Sequence, residues 1–242
     1  MARSARFVAI KQAHLVAQSA LDGLGFFREN ADFVIFLELL KNSAKVNAVA
    51  IHGYVLLPSE IVLVATPSAT DSLSKLMQWV GRRYVPYYNR KYHRTGPLWR
   101  SRFRAAVIEA ASHLLPACQY VEEAPVRKGL GSSPGDYPWS SYHVHAGLQP
   151  DSLVSDHPSY WSLGNTPFDR EAAYRRLMEL ALPGSTITLI ESGLRSGWAI
   201  GSTAFAESLQ KLAGRRLAPA PRGRPPGRRA LGAPKQYDPV PN

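Results

Sequence analysis

Two apolar runs, Val46 to Leu57 and Ile61 to Ala65, flank the dipeptide Pro58-Ser59, and they constrain the fold more than any other stretch. Runs of this kind, rich in valine, isoleucine and leucine and broken by a turn former, read as a β-hairpin. On either side the periodicity changes to that of a helix. Upstream, Asn30-Ala31-Asp32 offers a cap, and Phe33, Phe36, Leu37 and Leu40 follow at helical spacing. Downstream, Ser72 to Tyr92 carries Leu73, Leu76, Met77, Val80 and Tyr84 on one face, with Pro86 as the point where the helix kinks or divides.

A first strand over Phe7 to Gln18, a short one over Phe103 to Ile108 and a helix over Ser112 to Glu123, closed by Ala124-Pro125, extend this order to strand, helix, strand, strand, helix, strand, helix. The expected class is α+β, with helices packed on a mostly antiparallel sheet. After residue 148 the composition shifts. Pro150, Pro158 and Pro167 among scattered Ser, Gly and Asp suggest a connector. Phe168 to Leu182 and Ser202 to Leu212 look like two further helices, separated by a segment running from Ser192 to Trp198. From Gly214 onward the chain is rich in Arg, Pro and Gly and is expected to be disordered. The organisation expected is a main domain over 1–148, a small helical C-terminal extension over 149–213 and a basic tail over 214–242.

The 242 residues carry a formal net charge of +11, and 45% are hydrophobic, enough for a real core. A basic field of that size attracts polyanions. No apolar run reaches the roughly 18 residues that span a bilayer, which weighs against a membrane partner. The N-terminal residues contain no secretory hydrophobic segment; they are basic and acid-free up to Asp22, a composition also shared by transit peptides. Cys118 is the only cysteine, so neither an intramolecular disulfide nor a cysteine-zinc cluster can form, and a reduced, cytoplasmic compartment is expected.

The charge is concentrated. Arg82, Arg83, Arg90, Lys91, Arg94, Arg100, Arg102 and Arg104 lie in a block without one acidic residue, interleaved with Tyr84, Tyr87, Tyr88, Tyr92, Trp99 and Phe103. Guanidinium groups neutralise phosphates and aromatic faces stack unpaired bases, so the block reads as a contact for DNA, with some of its aromatics in the core. Arg222, Arg224, Arg228 and Arg229 form a second basic element, of a kind that lies in an AT-rich minor groove or serves only solubility. Among seven histidines, His143 and His145 superficially match a metal pair, but their surroundings favour a loop or helix start. His52, on an apolar strand, reads as a satisfied core or interface histidine rather than a ligand. Glu122 and Glu123 are adjacent, cannot face each other on a helix, and are expected at solvent or opposite Arg127 and Lys128. No Gly-rich phosphate loop and no Gly-x-Ser-x-Gly element is present.

Several stretches, in the same order along the chain, resemble the REP-associated tyrosine transposases of the single-tyrosine HUH superfamily. They are His52 to Thr66, Leu73 to Arg104 with its Gly96-Pro97-Leu98-Trp99-Arg100-Ser101-Arg102-Phe103 segment, Tyr120 to Gly129, Asp136 to Tyr142, Ser196 to Ser202 and the Arg-Gly-Arg-Pro tail. The resemblance implies a ferredoxin-like sandwich and a concrete mechanism. Two histidines flanking a hydrophobic residue on a central strand bind a divalent cation, and a polar residue four positions after a helix-borne tyrosine completes the site. That tyrosine attacks single-stranded DNA to give a 5′-phosphotyrosine link. Carried onto this chain, the nucleophile is Tyr120, the histidine positions fall on Glu60 and Val62, and the third ligand position falls on Ala124. Val62 and Ala124 have no lone pair to give, and Glu60 alone would hold magnesium weakly.

The resemblance, with these departures, implies a transposase-family protein that recognises single-stranded or hairpin DNA and whose strand cleavage is weakened or lost. Two alternatives stand beside it. One is an active single-strand transposase with magnesium held partly by Glu60; the other is a regulatory or architectural DNA-binding protein that uses the basic tail and the C-terminal helices. Neither a resident cofactor nor the choice between monomer and homodimer is legible.

Overall fold

In the computed structural model, which describes residues 6–219, β2 (Val49–Leu57) and β3 (Glu60–Pro67) form the expected hairpin, with Leu57 paired to Glu60 across Pro58-Ser59. β1 (His14–Ser19) pairs antiparallel with β3 on one side and with β4 (Arg104–Val107) on the other. The fold is thus α+β, with a four-stranded antiparallel sheet in the order β2-β3-β1-β4. The runs in β2 and β3 do not alternate because both faces of the sheet are covered. Leu56, Ile61 and Leu63 face one core, and Val55, Leu57, Val62 and Val64 face the other.

The first core is closed by α1 (Asn30–Val46) and α2 (Ser72–Lys91). Phe33, Phe36 and Leu40 recur along α1, and Leu73, Leu76, Val80 and Tyr84 recur along α2, as the apolar periods require. Asp32 sits at the third position of α1 and forms a reciprocal capping box with Glu29. Pro86 does not divide α2; the helix runs through it.

The second core is closed by α3 (Ala110–Glu122), whose Leu114, Ala117, Cys118 and Val121 point at the sheet. The segment after it does not simply stop at Pro125. A short turn of helix, α4 (Ala124–Arg127), starts there, because proline near a helix start loses no hydrogen bond. A 3-10 turn (Pro134–Asp136), α5 (Tyr142–His145) and α6 (Pro158–Trp161) follow, then α7 (Pro167–Met178), α8 (Gly184–Ser196) and α9 (Thr203–Ala213). Tyr160 of α6, Tyr174 of α7 and Ile190 of α8 enter the second core, while Ala206 and Leu209 of α9 pack with Val107, Ala199 and Leu217.

Two departures from the sequence reading concern element limits. β1 begins at His14 rather than near Phe7, because Lys11 takes a left-handed backbone (φ 59) in a turn. The stretch expected to separate two late helices is largely helical, as α8, and ends at Gly197, whose φ of 69 suits a residue without Cβ. Among the described residues no helix is long and apolar enough to cross a membrane. The tail beyond residue 219, with Arg222, Arg224, Arg228 and Arg229, lies outside the described residues.

Candidate functional site

Tyr120 lies off the buried stripe of α3 and is half-buried. Glu123 alone separates α3 from the turn of α4 and keeps a helical backbone, so Arg127, two turns on from Tyr120, covers it. The guanidinium carbon of Arg127 is 4.1 Å from the ring centroid, and Arg127 also donates to the backbone oxygen of Tyr120 and, at 3.5 Å, to Glu123. Opposite stands the start of β3. Every second position of a strand shares a face, and here Glu60 and Val62 both turn toward α3.

Between them is a cavity of about 260 Å³ lined by Glu60, Val62, Tyr120, Ala124, Arg127 and Lys128, with Glu191 and Leu194 of α8 as its outer wall. The four positions singled out in the sequence are thus brought to one place. Lys128 meets Glu60 at 3.6 Å. Two carboxylates and two cations share the cavity, which leaves it close to neutral. Burial pushes the phenol of Tyr120 above its usual range, and Glu191 and Glu60 push the same way while Arg127 opposes them.

The donor set does not fit a divalent cation. Val62 and Ala124 present only hydrocarbon, and the Glu60 carboxylate is paired with Lys128. Among the described residues no group of three or more His, Cys, Asp or Glu is placed to hold a metal ion. Hard cations such as magnesium take several oxygen ligands, and Glu60 and Glu191 are the two carboxylates this cavity offers.

Beneath the cavity α3 is locked from the other side. Glu122, expected at solvent, is fully buried and accepts from Tyr174 Oη at 2.7 Å, from Ser141 Oγ at 2.5 Å and from His145 Nδ1 at 2.7 Å. Two residues along a helix is a rotation of about 200°, so fixing Glu122 inward aims Tyr120 outward into the cavity. Burial disfavours the charged form of His145, yet Glu122 outweighs it and raises the imidazole pKa. His143 turns elsewhere, to the backbone oxygen of Gly135, so the two histidines form no metal pair. His52 sits at a bulge in β2, bonded to Ser155 and Thr66 and pushed by burial to about 4, a core histidine as expected. Of the two acids, Glu123 does face Arg127.

The basic block divides in use. Lys91 is held by Asp32 at 2.7 Å and Glu29 at 2.5 Å, in a cluster that Tyr87 and Tyr92 join through Asp32. Arg83 stacks on Trp79, Arg94 is bonded to Asn89 and Pro97, and Arg100 pairs with Asp22 at 3.4 Å. Arg82, Arg90, Arg102 and Arg104 are exposed and make no ion pair with a described residue. Several aromatics of the block belong to the core: Tyr84 and Tyr88 are fully buried, Tyr84 donating to the oxygen of Phe26. Arg104 pairs with Ala17, which pairs with Val62, so the three stand in one row on the Tyr120 face. Two strand spacings, about 10 Å, separate the ends of that row.

A solved REP-associated tyrosine transposase bound to a REP hairpin superposes on this chain with a TM-score of 0.53 at 16% identity, covering 66% of this chain and 96% of that one. This chain has the fold of that transposase. A solved chain described as a candidate transposase from Deinococcus radiodurans R1 matches at 16% identity over 51% of this chain and 97% of its own, with a TM-score of 0.36 too low to add weight. Neither a protein-family model nor a curated protein matches.

The transposase fold accounts for nearly all of the hairpin-bound chain, and about a third of the present chain lies outside the superposition. Sequence reasoning missed the outer wall of the cavity. Ile187, Ile190 and Leu194 recur at helical spacing behind Pro183 and could have marked α8. It also missed Arg127 as the cover of Tyr120, for which the only signal was its place seven residues on, two helical turns away.

Proposed function

We propose that this chain is a single-stranded or hairpin DNA-binding protein built on the ferredoxin-like scaffold of REP-associated tyrosine transposases, and that its tyrosine centre does not cleave DNA. The β-α-β-β-α-β order of the first six elements and the strand order support the scaffold. The observation that carries the functional reading is the cavity in which Tyr120 faces Glu60, Val62 and Ala124.

A tyrosine attacks a phosphodiester only if its phenol can lose its proton and the developing charge on the phosphate is stabilised. Here burial and two carboxylates hold the proton on, and the strand residues opposite supply no ligand for a Lewis acid. Losing such assistance removes several kcal/mol of transition-state stabilisation, on the order of a thousandfold in rate or more. Binding has no such requirement. Arg82, Arg90, Arg102 and Arg104 are free to meet phosphates, with Arg104 on the same sheet face as Tyr120, and the solved transposase of the same fold is itself bound to a hairpin.

The test is a salt series of binding to a hairpin oligonucleotide with a single-stranded foot. Affinity is expected to fall steeply between about 50 and 200 mM salt, as counterion release requires. A protein that fails to bind the hairpin at low salt, or binds it without salt dependence, would overturn the reading.

A further inference from the structure

On the sheet face away from Tyr120, α2 and the segment 97–103 bound a cleft of about 860 Å³, within the range of roughly 300–1,000 Å³ typical of small-ligand sites. Its floor is apolar: Met77, Val85, Pro86, Trp99 and Phe103. Its rim holds Arg6, Arg82 and Arg102, and no acidic residue lines it.

The floor is fixed before any ligand arrives. The Trp99 indole packs on Phe26 at 4.9 Å between centroids and lies so close to α2 that a Cβ at Gly81 would come within 2.9 Å of its Nε1. Arg6 stacks on Phe103 at 3.9 Å and donates from Nε to the Phe103 oxygen at 2.8 Å. Gln18 donates to Ser101 at 2.9 Å and so pins the segment to β1. Arg6 and Arg102 repel each other there with no carboxylate between them, an effect that adds to burial in lowering the pKa of Arg6. Arg82 and Arg102 are exposed and make no ion pair with a described residue.

We infer that this cleft holds an unstacked nucleobase of a single-stranded polynucleotide, its rings against Trp99, Val85 and Pro86 and its flanking phosphates on Arg82 and Arg102. A nucleotide is the ligand that joins a flat apolar face to an anion, which is the pairing of surfaces found here. An apolar peptide would leave the arginines unanswered, and a base still stacked in a duplex could not enter. The inference rests on the DNA-binding reading and extends it to a second face of the sheet. Gln18 in the cleft adjoins Ser19, which is paired with Glu60 of the tyrosine cavity, so the two sites flank the same end of the sheet.

The experiment uses the full chain and oligothymidylate carrying one 5-iodouracil, with photocrosslinking, peptide mapping and a salt series. The expected crosslink falls on the peptide holding Trp99 and Phe103 or on α2. The R82A/R102A double variant, changed only at exposed positions, should lower the salt slope by about 1.4, two single-strand phosphates' worth. Trp99→Ala should weaken binding roughly 5- to 150-fold, the range of one stacked base, and leave duplex binding unchanged. If the native protein binds but crosslinks elsewhere and the double variant keeps its slope, the cleft assignment fails and the DNA-binding reading stands. If polyglutamate displaces the oligonucleotide from the cleft as well as unlabelled oligothymidylate does, the site is a peptide groove and the inference is wrong. If the native protein binds neither this probe nor the hairpin, both fall together.

Discussion

Arg127 lies across the ring of Tyr120, 4.1 Å from its centroid, and donates to that residue's own carbonyl oxygen. The Arg127 guanidinium is thus engaged with the ring face and the backbone, and its lowering effect on the phenol is outweighed by burial. Lys128, one residue on, is paired with Glu60 across the same cavity. The charges that could have faced a phosphate are largely balanced within the protein.

This arrangement predicts the ionisation of Tyr120. Burial, then Glu191 and Glu60, raise its pKa, against the opposing effect of Arg127. A difference spectrophotometric titration, native minus Tyr120→Phe, should show the phenol ionising above its ordinary value of about 10. A step at or below that value would mean an activated phenol.

Glu122 is a structural clamp. Glu122→Ala leaves His145, Ser141 and Tyr174 without their shared acceptor and should lower stability by about 3–5 kcal/mol in urea unfolding. The raised folded pKa of His145 makes its contribution full below about pH 6.5 and lost as pH rises through the higher folded value. Native stability should therefore decline over that window, and Glu122→Gln should flatten the decline. An unchanged profile in the variant would contradict the coupling.

The second buried acid behaves oppositely. Burial disfavours the Asp32 carboxylate, but hydrogen bonds from Lys91, Tyr92, the backbone of Arg28 and Tyr87 outweigh it and draw the carboxyl down to about 2. Its stabilisation, on the order of 2 kcal/mol, is present above pH 3.8 and lost as pH falls toward 2. Asp32→Asn should reduce stability at neutral pH and remove that part of the acid transition. The same cluster predicts that Lys91→Ala reduces stability more than it reduces DNA affinity.

How much of this was legible varies with how local the cause is. The hairpin and the helices α1 and α2 are legible because each shows its own apolar period within one window. α8 is less so: Ile187, Ile190 and Leu194 carry a period, but Gly184 and Gly193, with Thr186 and Thr188, lower its propensity, and Ile190 packing in the core holds it helical. Glu122 reads as a surface acid because its partners lie 19, 23 and 52 residues on. The meeting of Glu60, Val62 and Ala124 with Tyr120 was legible only through a resemblance, since nothing in spacing alone says that the start of β3 faces α3. Counting charges located a basic surface but could not tell Lys91, held by Asp32, from Arg90, which has no acidic partner among the described residues.

If missing donors are what separates this cavity from a metal site, supplying them should create one. The variant E60H/V62H/A124N places two imidazoles and an amide beside Tyr120 and frees Lys128. Calorimetry with manganese should show binding at least about tenfold tighter than the native chain. Equal, weak binding by both would mean that the backbone of β3 and α4 does not present those positions to a common point.

The central claim is that Tyr120 occupies a nucleophile's place without the means to act, and a covalent-adduct assay tests it most directly. Native protein and Tyr120→Phe are incubated with a single-stranded hairpin oligonucleotide, with and without magnesium, and resolved on a denaturing gel. The account predicts no protein–DNA band from either protein in either condition while both still bind the oligonucleotide. A magnesium-dependent band from the native chain that vanishes in Tyr120→Phe would contradict it.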